Sequence, residues 1–96
     1  MKLSNEAKQD LRGIYRYTVL RYGFDQADKY EDGLKSSVRT ISNFMSIGRR
    51  YTTRKGKEFL RYNSGRHVVF YVVEDDYALI VRILHCSAEF DAYLGD

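Results

Sequence analysis

Apolar residues recur at steps of three and four along the first part of the chain. Ala7, Leu11, Ile14 with Tyr15, Thr18 and Tyr22 fall on one helical face, which predicts a helix over residues 5–22. Ser4 suits its N-cap, Glu6 its first turn, and Gly23 a left-handed stop. Ala27, Tyr30, Leu34, Val38, Ile41 and Met45 keep the same period and predict a second helix over 26–45. Asp25 is its expected N-cap, with Asp28 three residues on. The link Gly23-Phe24-Asp25 is so short that the chain returns antiparallel, giving an αα-hairpin.

Residues 46–57 break the period. Arg49, Arg50, Arg54, Lys55 and Lys57, with Gly48 and Gly56, read as a basic loop. Strand-like patterns follow at Glu58–Tyr62, His67–Val73 and Tyr77–His85, separated by turn signals at Asn63-Ser64-Gly65 and Glu74-Asp75-Asp76. A short strand at Lys2–Leu3 is expected to extend the sheet, and the tail, Ala88 to Leu94, is expected to form a short helix or stay irregular. The fold class is α+β: a short N-terminal strand, an αα-hairpin, then a three-stranded, mostly antiparallel β-meander, in one domain over 1–96. Both alternating sets of the last two strands are apolar. Val68, Phe70 and Val72 oppose Val69, Tyr71 and Val73, and Leu79, Val81 and Ile83 oppose Ile80, Arg82 and Leu84. Two helices cover one face of a sheet, so the second face needs another cover. The tail with the basic loop, a second copy, or a partner protein would serve, and the partner is the favoured reading.

Composition narrows the class. The chain has 44% hydrophobic and 30% charged residues among 96, which is ordinary soluble globular material. Its longest apolar run, Val68 to Val73, is far short of the roughly 20 residues a membrane span needs. Residues 1–6 show no secretory pattern. Cys86 is the single cysteine, and no His/Cys group has zinc spacing. The expectation is a cytoplasmic protein without metal or cofactor. The net charge of +3 is compatible with an acidic partner or a nucleic acid.

Enzyme signatures are absent: the chain has no G-x-S-x-G, no Walker A sequence and no H-E-x-x-H. His67 and His85 are expected to bond locally at strand ends, and Cys86 to be a buried, inert thiol. The basic loop, with Tyr51 inside it, reads first as a solvated charge run, then as a dock for an acidic protein segment, then as a phosphate grip.

The segment Ser64-Gly65-Arg66-His67-Val68-Val69-Phe70-Tyr71, followed by Ile80-Val81-Arg82-Ile83-Leu84-His85, resembles the signature of ParE-type toxins within the RelE/ParE superfamily. Ser4-x-x-Ala7-x-x-Asp10-Leu11-x-x-Ile14-x-x-Tyr17 and Gly23-x-x-Gln26-Ala27-x-x-Tyr30-x-x-Gly33-Leu34 resemble the family's two helices. The likeness spans nearly the whole chain. It departs after the second helix, where the usual proline is missing from Phe44-Met45-Ser46-Ile47-Gly48. It departs again at Cys86-Ser87-Ala88-Glu89, where many members read Gln-x-Met-Asp.

The resemblance implies the toxin of a type II toxin–antitoxin module. Such a toxin poisons DNA gyrase, blocks replication, and is neutralised by a cognate antitoxin that wraps it. Target contacts are then expected at Arg82, His85, Glu89 and Tyr93. Antitoxin contacts are expected at Arg49, Arg50, Arg54, Lys55, Arg61, Val69 and Tyr71. Neither a membrane nor direct nucleic-acid binding is expected. The alternative is a RelE-like, ribosome-dependent and metal-free endoribonuclease, in which Arg61 and Arg82 would stabilise the phosphorane while His85 or Tyr93 moves protons.

Overall fold

A computed structural model describes residues 2–95. Its order is β1 (Lys2–Leu3), α1 (Asn5–Tyr22), α2 (Phe24–Asn43), β2 (Arg49–Thr52), β3 (Glu58–Ser64), β4 (His67–Val73), β5 (Ala78–His85) and α3 (Phe90–Tyr93). The strands form one sheet in the order β1-β5-β4-β3-β2, with β1 parallel to β5 and the other pairs antiparallel. The α+β class, the hairpin and the meander are those the hydrophobic pattern predicts. Among the described residues no helix is long and apolar enough to cross a membrane.

Ser4 joins sheet to helix. Its Oγ accepts from the Ala7 amide at 3.0 Å, which caps α1, and donates to the Val81 carbonyl at 2.8 Å. Its own amide donates to Ile80. One residue therefore starts α1 and fixes it to β5. Gly23 alone makes the turn between the helices. At φ 90° it donates to Val19 and accepts from Ala27, a backbone conformation that disfavours side chains. Asp25 is consequently not the N-cap but lies in the first turn of α2, which starts and ends two residues earlier than the spacing predicts.

The largest departure is β2. The segment that reads as a basic loop supplies a fourth meander strand, pairing Arg49 with Arg61, Arg50 with Leu60, Tyr51 with Phe59, and Thr52 with Glu58. The turn beyond it is closed by buried Thr53, whose amide donates to the Lys57 carbonyl and whose Oγ1 accepts from the Lys57 amide. Arginines on an outer strand are the usual way to keep an edge from pairing with other chains, and the same charges hide the strand from a hydrophobicity pattern.

A bulge in β5 is the second departure. Phe70 pairs with Arg82 but Tyr71 pairs with Ile80, so Val81 is extra. Ile80 and Ile83, three apart, both face the helices, whereas Val81 and Leu84 face away. Strict alternation through β5 does not hold.

Packing differs on the two faces. Under the helices lie Ala7, Leu34, Val38, Ile41, Val69, Tyr71, Ile80 and Ile83. Val69 and Tyr71, both fully buried there, are thereby removed from the expected antitoxin surface. The opposite face, Val68, Phe70 and Leu84, is covered by the chain itself, through Tyr51, Phe59, Ala88, Phe90 and Leu94. The favoured reading of a face left open for a partner is corrected: tail and β2 cover it. Asp91, which sequence reasoning did not single out, pins that cover. It accepts from Tyr51 Oη at 2.6 Å and from the Arg54 amide at 3.0 Å, and its carboxylate lies 3.4 Å from Arg54 Nε.

Candidate functional site

The β5 edge runs past the end of β1, and Asp10 of α1 fills the place a neighbouring strand would take. Its carboxylate accepts from Arg82 Nε and Nη2, both at 2.9 Å, and from the Ile83 amide at 2.9 Å. This bidentate pair holds the Arg82 guanidinium firmly protonated. Arg82 also lies over the Tyr93 ring at 5.2 Å and donates to the Tyr93 carbonyl. The ion pair thus ties α1, β5 and the tail together.

Around this junction opens a groove of about 750 Å³, bounded by α1, the β3–β4 turn, the end of β5 and the tail. Its mouth carries exposed aromatic rings, Tyr17, Tyr22 and Tyr93. Tyr22, expected on the buried face of α1, is 59% exposed here. Polar groups converge from Asp10, Arg66, His67, Arg82 and His85. Three of the four expected target residues, Arg82, His85 and Tyr93, share this groove. Exposed Glu89 lies outside its lining, as the residue preceding α3.

His67 and His85 are cross-strand partners, with rings edge to face at 5.4 Å. Tyr30 of α2 reaches over the β3–β4 turn, its hydroxyl 2.5 Å from His67 Nδ1 and accepting from the Arg66 amide at 2.9 Å. Burial, and next the neighbouring His85, hold His67 down at about 4, against a smaller opposing pull from Asp10. The expectation of local bonding holds for His85, which pairs with Ser87, and fails for His67, whose partner Tyr30 is 37 positions away; each also lines the groove. Cys86, expected to be buried, is exposed in the turn after β5.

Stability should therefore depend on acid. The unfolded His67 takes up a proton near pH 6.5 and the folded one near 4. Above the upper value neither state is charged and this contribution is whole; it declines as pH falls through the window and is gone below the lower value. The ring is half-buried, so the loss is about 1–2 kcal/mol after discounting for solvent. Urea midpoints at pH 7.5 and 4.5 measure it. An equal drop in the wild type and in His67→Gln would show that other groups are responsible.

A second concavity lies by the basic edge, lined by Ile47, Arg49, Arg50, Tyr51, Arg61, Tyr62 and Asn63. Arg50 pairs with Glu58 at 2.7 Å, and the Arg61 guanidinium lies over Phe90 at 5.3 Å. Arg54 and Lys55 sit in the turn beyond. Five expected antitoxin residues, Arg49, Arg50, Arg54, Lys55 and Arg61, are thus gathered on the β2–β3 side. The four residues of the nuclease alternative are not brought together: Arg61 lines this concavity, while Arg82, His85 and Tyr93 line the groove. Moreover, Arg82 is paired with Asp10, and His85 Nδ1 accepts from the Ser87 amide at 3.1 Å. Among the described residues no group of three or more His, Cys, Asp or Glu could hold a metal ion.

The family model for the ParE toxin of the type II toxin–antitoxin system parDE matches residues 1–90. The chain is 35% identical over 94 residues to "Toxin ParE1" of Caulobacter vibrioides, covering 98% of this chain and 96% of that protein. A chain of the solved chromosomal ParDE TA system from P. aeruginosa shares the fold. Its TM-score is 0.75 at 19% identity, over 88% of this chain and 91% of that one.

Proposed function

The chain belongs to the ParE family of toxins from type II toxin–antitoxin systems, and from that membership we propose that it inhibits DNA gyrase, blocks replication, and is silenced by direct binding of its own antitoxin. The observation that carries this reading is the groove, where Arg82, His85 and Tyr93 meet exposed aromatic rings at one rim. Exposed tyrosines beside arginine are the residue types that anchor protein interfaces. Inhibition is then a matter of binding rather than catalysis. The antitoxin supplies an acidic segment to the second surface, Arg49, Arg50, Arg54, Lys55 and Arg61, with both events in the cytoplasm.

The test is a supercoiling assay with purified gyrase. The chain should block supercoiling and accumulate cleaved DNA. Tyr93→Ala should weaken this at least about tenfold, the effect of losing one interface anchor, and should still be bound by the antitoxin. Unimpaired supercoiling, with ribosome-bound mRNA cut instead, would replace this reading by the RelE-like one.

A further inference from the structure

Two hydrogen bonds determine where the imidazole protons lie. Ser87 donates its amide to His85 Nδ1, so that nitrogen has no proton and Nε2 carries it. The Tyr30 hydroxyl already accepts from the Arg66 amide. Its single proton then goes to His67 Nδ1 at 2.5 Å rather than to the Ser64 carbonyl at 3.4 Å. Burial pushes the Tyr30 phenol up, so it keeps that proton. His67 is therefore also protonated at Nε2. Neither Nε2 has a partner among the described residues.

The groove accordingly holds two cross-strand imidazoles, each with an Nε2–H left over, and Arg66, the residue before His67, is part of the same lining. From this geometry we propose a phosphate-binding site formed by His67, His85 and Arg66 where β4 and β5 line the groove. A metal ion needs a bare nitrogen, and both Nε2 atoms carry protons. An anion needs donors, and here are two N–H groups and a planar fork. Arg82 does not compete for the anion, because Asp10 holds it. The other groups around the pair are Asp10 of α1, Tyr30 of α2, Cys86 beyond β5 and Tyr93 of the tail. Of these only Asp10 opposes an anion, and its charge is matched by Arg82.

Inorganic phosphate and a nucleoside 5′-monophosphate present the same group, and the groove has room for either. Phosphate binding neither requires nor excludes gyrase as the target, so this test and the supercoiling test fail separately.

The experiment is NMR of the full chain with 15N-labelled histidine at pH 6. Both rings should first appear as the Nε2–H tautomer in the neutral form at higher pH. Inorganic phosphate should then shift both imidazoles, saturating below about 10 mM. Adenosine monophosphate saturating at lower concentration would identify a nucleotide as the source; equal affinities would identify the bare ion. Arg66 contributes only its backbone to the turn, so Arg66→Gln should keep a dispersed spectrum and weaken binding roughly three- to tenfold. His85→Gln should do the same through a different donor. An Nδ1–H tautomer at either histidine, saturation by Zn²⁺ instead of phosphate, or no phosphate shift would overturn the proposal.

Discussion

Replacing Asp10 by alanine is expected to lower stability by about 2–4 kcal/mol, more than its place on a helix surface suggests. Its carboxylate is the shared acceptor for Arg82 Nε, Arg82 Nη2 and the Ile83 amide. The two side chains are only 14% and 21% exposed. Alanine leaves a mostly buried guanidinium without its partner and an edge amide without an acceptor, and the second loss adds to the first. For a chain of this size the melting temperature should fall by roughly 10–25 °C.

Asp10→Asn separates the two terms. It keeps an oxygen for the Ile83 amide, loses the charge, and should sit about midway. Arg82→Met leaves Asp10 still bonded to Ile83 and should be milder than Asp10→Ala. The double variant Asp10→Ala with Arg82→Met should be more stable than Asp10→Ala alone, because no unpaired charge remains. Thermal unfolding followed by circular dichroism reads all four. A melting temperature for Asp10→Ala within about 3 °C of the wild type would mean that water replaces the carboxylate and that the junction is not held by this pair.

Asp10 also marks where the sequence stops being legible. Its partner is 72 positions away, and one acid on the polar side of an amphipathic helix looks like many others. Periodicity reports which face of a segment is apolar, so both helices and β4 could be read from it. It is silent on an edge strand made of Arg49, Arg50, Tyr51 and Thr52, where the edge itself calls for charge. Nor does it report a bulge, because the extra Val81 looks like any other strand residue. The cover on the second face is hidden from periodicity for a similar reason. Phe90 and Leu94 are too few to form a pattern, yet with Tyr51 and Phe59 they suffice to close that face. Arg82, His85 and Tyr93 could be picked out by their resemblance to a family. The groove they share also depends on Tyr17, Tyr22 and Arg66, which only the tertiary fold brings to them.

The start of β2 is the other point where one substitution should act strongly. Gly48 is needed there for closeness rather than for an unusual backbone. A Cβ at this position would lie 2.6 Å from Tyr71 Oη, 2.9 Å from Tyr71 Cε1 and 3.0 Å from the Arg61 carbonyl oxygen. Tyr71 cannot turn away. It is fully buried, and its hydroxyl donates to the Met45 carbonyl at 2.8 Å while accepting from the Gly48 amide at 2.9 Å. Gly48→Ala must therefore push β2 off β3 or break both hydrogen bonds, at about 2–3 kcal/mol.

Tyr71→Phe alone leaves the Met45 carbonyl and the Gly48 amide without their partner and should cost about 1–2 kcal/mol. In combination the two changes should cost about 1 kcal/mol less than their sum, since the hydroxyl that the new methyl meets is gone. Relief is partial, because the ring carbon and the Arg61 carbonyl remain in the way. Urea unfolding of the two single variants and the double variant measures the coupling; strict additivity would mean that the strand moves as a whole and the hydroxyl is not the obstacle. Displacing β2 also moves Tyr51, whose hydroxyl holds Asp91. Gly48→Ala should accordingly release the tail, and limited proteolysis should cut near Phe90 well before the rest of the chain. Release of the tail by a change at the start of β2 is the signature expected if β2 and Asp91 together keep the second face closed.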